Sequence, residues 1–228
     1  MNKKQKIKLW CGLSLVFAFI LWTVLLTFVD VGTIGPRESS VGFSTINGFF
    51  HDAVGVNMTL YTITDWLGIL PILFAFGFAI FGLVQLIKKR RLFDVDKSIL
   101  ILGVFYIVVV ATFVIFEKIV INYRPILIEG MLEASYPSST TLLFTTVMPT
   151  AITEIYSRTK KSFGVGVSIV LSLITAFGVI GRILSGVHWI TDIIGGIIFS
   201  VGIDLIYWSI TEKFKKISKK KLTRVHSI

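Results

Sequence analysis

The 228-residue chain is 54% hydrophobic and 16% charged, with a mean hydropathy of +0.83. That composition excludes an ordinary soluble domain, because apolar runs longer than about 18 residues mark membrane-spanning helices. A net charge of +10 without any nucleic-acid-binding motif points to anionic lipid and argues against nucleic acid as a partner.

The pattern predicts an all-α, polytopic membrane helical bundle with six transmembrane helices, at roughly 8–29, 66–87, 98–117, 138–156, 163–184 and 189–211. The first run follows Lys3, Lys4, Lys6 and Lys8. It is about 20 residues long and lacks a small-x-small cleavage site, so it reads as an anchor and not as a removable signal. The single Cys11 lies within it, which leaves no intramolecular disulfide and no paired-cysteine metal motif. Residues 30–65 are too apolar for a disordered linker, and a short interfacial helix is expected around Ile46 to Val54, carrying His51. Residues 1–64 are thus an anchor followed by an outer loop, 65–211 the main bundle and 212–228 a basic tail that holds His226.

The second span is expected to begin near Trp66 and to stop at Lys88-Lys89-Arg90-Arg91. The third reaches Glu117-Lys118 and is followed by Arg124-Pro125, where the proline keeps Arg124 out of helical geometry at the outer end. Pro137-Ser138-Ser139-Thr140 then opens the fourth span with a helix-start signature. Its first turn reads either as simple capping or as a phosphate seat, since free backbone N–H groups and a partial positive charge gather there. The last two spans carry Gly164, Gly166, Gly178, Gly195, Gly196 and Gly202, which suit close helix approach. Asp204, about 18 Å further along the helix than Asp192, is expected near the inner interface.

Nineteen of the 23 lysines and arginines fall in 3–8, 88–97, 158–161 and 213–224, all on one side of a six-span arrangement. By the positive-inside rule that side is cytoplasmic, with both termini, and its basic loops and tail face anionic inner-leaflet lipid. The other four, Arg37, Lys118, Arg124 and Arg182, fall on the outer side.

Gly181 to Asp192 places an arginine, a histidine and an aspartate between two apolar runs, where ionisable groups are expensive and point to function. At about 100° per residue His188 and Asp192 share a helical face, so the carboxylate is expected to orient the imidazole directly. The Ser185-Gly186 break lets Arg182 end one helix while His188 starts the next.

In these residues the sequence resembles the type 2 phosphatidic acid phosphatase family of membrane lipid phosphatases, over about 65–211. Arg182, His188 and Asp192 match the motif Ser-Arg-x5-His-x3-Asp with Gly181 in place of its serine, and Arg124-Pro125 matches the end of Lys-x6-Arg-Pro. The resemblance implies a nucleophilic His188 that forms a phosphohistidine, an orienting Asp192, and Arg124 and Arg182 as phosphoryl clamps. It further implies a bacterial plasma-membrane location, an extracytoplasmic site that takes a membrane lipid phosphate or diphosphate, and no cofactor or metal. One histidine between arginines suits an anion in any case.

Two positions depart from the family's pattern. Glu117 stands where the first motif has lysine, with Lys118 one residue away, and Thr140 stands where Pro-Ser-Gly-His has the histidine implied as general acid. Ser138, Ser139, Thr140 and Lys118 remain candidates to hold the phosphate. Glu117, Glu133 and His51 are candidates to replace the acid. Without an acid, an alkoxide leaving group, whose parent alcohol is about as weak an acid as water, suffers more than a phosphate leaving group (pKa about 6), which favours lipid diphosphates such as polyprenyl diphosphate. The alternative is a catalytically impaired member of the fold that binds or transports a phosphorylated lipid.

Overall fold

The computed structural model describes the backbone of residues 1–225, and side chains as far as Glu212 together with Phe214; His226 and the basic side chains of the tail lie outside the described residues. The chain forms α1 (Lys3–Phe28), α2 (Ser44–Val54), α3 (Met58–Leu67), α4 (Ile69–Lys89), α5 (Lys97–Lys118), α6 (Ser139–Arg158), α7 (Lys161–Ser185) and α8 (Ile190–Val225). Short 3₁₀ turns at Pro36–Glu38 and Leu92–Asp94 interrupt two of the connections.

Five segments are long and apolar enough to cross a membrane: Lys3–Phe28, Met58–Lys89, Lys97–Lys118, Lys161–Ser185 and Ile190–Glu212. The segment expected as the fourth span forms helix α6, which is not among these five, and its composition sets it apart. Thr145, Thr150 and Thr153 turn their hydroxyls back onto the carbonyls of Thr141, Thr146 and Pro149, and Pro149 interrupts the ladder from inside the helix. Such a helix needs apolar neighbours more than an apolar surface. It packs against α4, α5, α7 and α8, and Leu142, Phe144, Val147 and Met148 are fully buried. The contrast between lipid-facing and inner helices is sharp: 11% of the apolar window in Met58–Lys89 is buried, against 56% in Ile190–Glu212.

The second span also differs from expectation, since helix starts at Met58 and not near Trp66. The Asn57 side chain accepts the Leu60 N–H at 2.9 Å and so caps α3 eight residues upstream of Trp66. Helix α3 packs along α7, which brings it to the end of the bundle where α7 turns into α8.

Small residues set the closest approaches. A Cβ on Gly12 of α1 would stand 2.7 Å from the Gly202 carbonyl of α8, so these helices meet backbone to backbone. Asp204 is buried beside a polar layer in which Glu154 holds Tyr207 at 2.6 Å, Ser98 at 2.9 Å and Arg158. Arg158 also reaches Asp96 at 2.6 Å and Lys8 pairs with Glu212, so this end of the bundle gathers the basic loops. At the opposite end the segment after α5 meets the start of α6, the end of α7 and the start of α8.

Candidate active site

The turn from α7 to α8 sets the geometry. Gly186 takes a left-handed conformation with φ of 64°, and the Gly55 carbonyl would lie 1.9 Å from any Cβ there, so only glycine closes the turn. His188 follows in the turn, two residues ahead of the first residue of α8, and is 6% exposed. Asp192 accepts the Trp189 N–H at 3.1 Å, the carboxylate half of a capping box for α8.

Because His188 precedes the helix, the helical-face argument for a direct contact with Asp192 does not apply, and Ser135 links the two instead. Its Oγ lies 2.5 Å from Asp192 Oδ2 and 3.0 Å from His188 Nδ1. Ser135 has one proton, and Asp192, already accepting from Trp189 N–H and from Asn122 Nδ2 at 3.2 Å, is the acceptor that takes it. His188 then donates Nδ1–H to Ser135, which leaves the Nε2 lone pair outward. Nε2 faces Arg124 Nη1 at 3.3 Å.

Arg124 sits in a tight loop whose backbone pairs Tyr123 with Ala134. Its N–H donates to the Glu133 carbonyl at 3.0 Å, and its Nε forms an ion pair with Glu133 Oε2 at 3.0 Å. Trp189 Nε1 donates to the Tyr123 carbonyl at 2.7 Å and ties this loop to the α8 turn.

Arg182 is 1% exposed. Its Nη2 donates to Thr140 Oγ1 at 2.6 Å and to Asp65 Oδ1 at 2.5 Å, while Nε and Nη1 have no hydrogen-bond partner among the described residues. The ring of Tyr61 lies 4.8 Å from the Arg182 guanidinium and 6.0 Å from that of Arg124. Gly181, in place of a serine, makes room for α3, because a Cβ there would stand 2.5 Å from Thr64 Cγ2.

The other sequence candidates divide. Ser138 is fully buried and caps α6, accepting from Thr141 N at 3.4 Å and Thr141 Oγ1 at 3.0 Å, so its hydroxyl is committed to the helix. Ser139 is half-buried as the first residue of α6, and Thr140 alone of the three contacts an arginine. Glu117 and Lys118 are exposed on the last turn of α5, with no ion pair or hydrogen bond to this cluster among the described residues. His51 packs on Trp189 at 5.5 Å between ring centroids and lines a small cleft with Ile183, Gly186 and His188. Ser135, Asn122, Tyr61 and Asp65 were not singled out as site residues from the sequence. Ser135 could have been, as the first hydroxyl of its cluster, and Asn122 as a lone amide after an apolar run.

Burial, with the positive charges of Arg124 and Arg182, pushes His188 well below its ordinary value of 6.5. The imidazole is therefore neutral near neutral pH. The folded state takes up this proton at lower pH than the unfolded chain does, so His188's contribution to stability is full above the ordinary value and falls away as pH drops below it. In a pH profile of kcat/KM, the acid limb due to His188 is expected below about 6.5, the free-histidine value.

Residues 118–216 match the PAP2 superfamily. That match supports membership of the superfamily for this part of the chain. A comparison with curated proteins gave no match. Among solved structures the chain is similar to the first transmembrane PAP2-type phosphatidylglycerolphosphate phosphatase from Bacillus subtilis, with 16% identity and a TM-score of 0.59, covering 90% of this chain and 96% of that one. At that identity the likeness is one of fold. The superfamily match takes in Arg124, Ser135, Arg182, His188 and Asp192 but begins beyond α3, so Tyr61 and Asp65 lie outside it.

Proposed function

We infer that this protein is an integral membrane phosphatase that hydrolyses a lipid phosphate or diphosphate through a phosphohistidine on His188. One observation carries the reading: the outward Nε2 of His188, fixed by the Asp192–Ser135 chain, meets Arg124 at the place where Arg182 holds unpartnered donors. A phosphoryl group between these arginines receives bidentate hydrogen bonds and charge compensation, which is most of what phosphoryl transfer requires. His188 attacks phosphorus, its Nδ1–H held by Ser135, and water then releases phosphate. Six helices span the cell membrane in this reading, with both termini cytoplasmic and the site outside. Support comes from the basic residues collected at the end opposite His188.

Thr140 cannot act as an acid near neutral pH, so a site relying on it alone favours diphosphates over phosphatidic acid. The test is phosphate release by the purified protein, given polyprenyl diphosphate and phosphatidic acid in parallel with His188→Ala as blank. Release that vanishes in the blank supports the enzyme. Absence of release from folded wild-type protein with either lipid replaces this reading with binding or transport of a phosphorylated lipid.

A further inference from the structure

We propose that Asp65 is a further catalytic residue, the carboxyl group that carries the proton to the leaving oxygen from the end of the site opposite His188. The inference rests on the phosphohistidine reading above and names the group that makes poor leaving groups accessible to it.

The placement comes from the two arginines. His188 Nε2 meets Arg124 Nη1 at 3.3 Å, whereas Asp65 Oδ1 meets Arg182 Nη2 at 2.5 Å. The Tyr61 ring, one helical turn before Asp65 on α3, lies against both guanidiniums. Nucleophile and carboxylate thus contact different members of one arginine pair, His188 on Arg124 and Asp65 on Arg182. In-line displacement puts the leaving oxygen on the far side of phosphorus from the attacking nitrogen. With the phosphoryl group held between the arginines, that far side is the Asp65 end.

The other acids are placed elsewhere. Glu133 pairs with Arg124, at the nucleophile's end. Asp192 is engaged by Ser135, Asn122 and Trp189. His51 lies against the indole of Trp189 in a cleft it shares with His188, at the nucleophile's end, and Glu117 is exposed on α5. Thr140 shares Arg182 Nη2 with Asp65, but a hydroxyl is about as weak an acid as water. The Asp65 side chain is 57% exposed, so water reaches it, while the buried Nε and Nη1 of Arg182 remain to grip phosphoryl oxygens.

The protons balance without an outside donor. A phosphate whose second pKa is about 6 arrives in part carrying one proton. When its oxygen joins Arg182 beside Asp65, the carboxylate relays that proton from the phosphoryl oxygen to the leaving oxygen as the bond to phosphorus breaks. His188 Nε2 then bonds to phosphorus as the bond from phosphorus to the leaving oxygen breaks, and that oxygen keeps the electron pair and receives the proton from Asp65. In the second half, water oxygen bonds to phosphorus as the P–N bond breaks and its electrons return to Nε2. Asp65 accepts the water proton and passes it to the departing phosphate.

The experiment compares wild type, Asp65→Asn, Asp65→Glu and His188→Ala as full-length protein in detergent, with phosphatidic acid and polyprenyl diphosphate. Asp65→Asn is expected to lower kcat on phosphatidic acid about 10²-fold or more, with KM unchanged or lower because the competing carboxylate is gone. The diphosphate is expected to lose less than about tenfold, since its phosphate leaving group needs little protonation, and Asp65→Glu, which keeps the carboxyl group, is expected to fall between. Equal losses on both lipids would overturn the proposal and leave Asp65 as a partner that merely positions Arg182. Unchanged or higher kcat on phosphatidic acid would overturn it too, leaving a carboxylate that only competes with substrate. Should Asp65→Asn fail to fold, adding Thr140→His to Asp65→Glu decides: a gain on phosphatidic acid alone supports a proton donor at this end, and no gain contradicts it. Wild type no better than His188→Ala on either lipid would instead remove the phosphatase reading itself.

Discussion

Phosphate release is expected to fall by roughly 10⁴–10⁶-fold when His188 is replaced by alanine, the range seen when a nucleophile that works as part of a unit is removed. Among the described residues no other imidazole contacts the two arginines. Nε2 of His188 is the imidazole nitrogen among them that contacts Arg124, whereas His51 packs on the Trp189 ring. Residual activity will reflect the two arginines alone, which bind phosphate but cannot attack it. The measurement is kcat from inorganic phosphate release, on protein whose thermal melt matches wild type.

The second large effect is at Asp192. Asp192→Asn is expected to lower kcat by about 10⁴-fold, because an amide in place of the carboxylate lets Ser135 reverse its hydrogen bonds and present its proton to Nδ1. His188 would then carry its own proton on Nε2, the atom that has to attack. Ser135→Ala removes the same relay from its middle and is expected to cost less, since the His188 ring stays confined by burial. The double variant should be no worse than Asp192→Asn alone. Additive losses in that double-mutant cycle would mean that the two residues do not act through one chain of hydrogen bonds.

What was legible in the sequence follows from how the information is stored. Arg182, His188 and Asp192 stand within eleven residues of one another, so their spacing carried the resemblance, and the apolar runs gave the helices. The direct His188–Asp192 contact was misjudged because a helical wheel holds only inside a helix, and α8 begins at Ile190. Ser135 and Asn122 come from the loop between α5 and α6, 53 and 70 residues from their partners His188 and Asp192, and no period in the chain points from one to the other. Asp65 was hidden for a different reason. It falls at the boundary between the outer segment and the span expected near Trp66, whereas the Asn57 cap starts α3 early enough to bring Tyr61 and Asp65 together at the arginines. The unusual composition of α6 has the same origin in packing: a helix enclosed by four others can carry threonines that a lipid-facing helix would not.

These details bear on selectivity. A threonine at position 140 suggests loss of an acid, yet the same hydroxyl shares Arg182 with Asp65. The diphosphate preference argued from Thr140 is then a property that Asp65→Asn should reveal and that wild type should show only weakly. The ratio of the two lipid turnovers in the two proteins reads this directly.

The most direct test of the central claim is to quench the protein in alkali during turnover of a ³²P-labelled lipid phosphate, then locate the label. A phosphoramidate on histidine survives base and is lost in acid, which separates it from phosphoserine or an acyl phosphate. The account predicts a base-stable, acid-labile phosphoenzyme on the peptide containing His188, absent from His188→Ala. Turnover that proceeds at the wild-type rate with no such label, or with the label retained in His188→Ala, would contradict it.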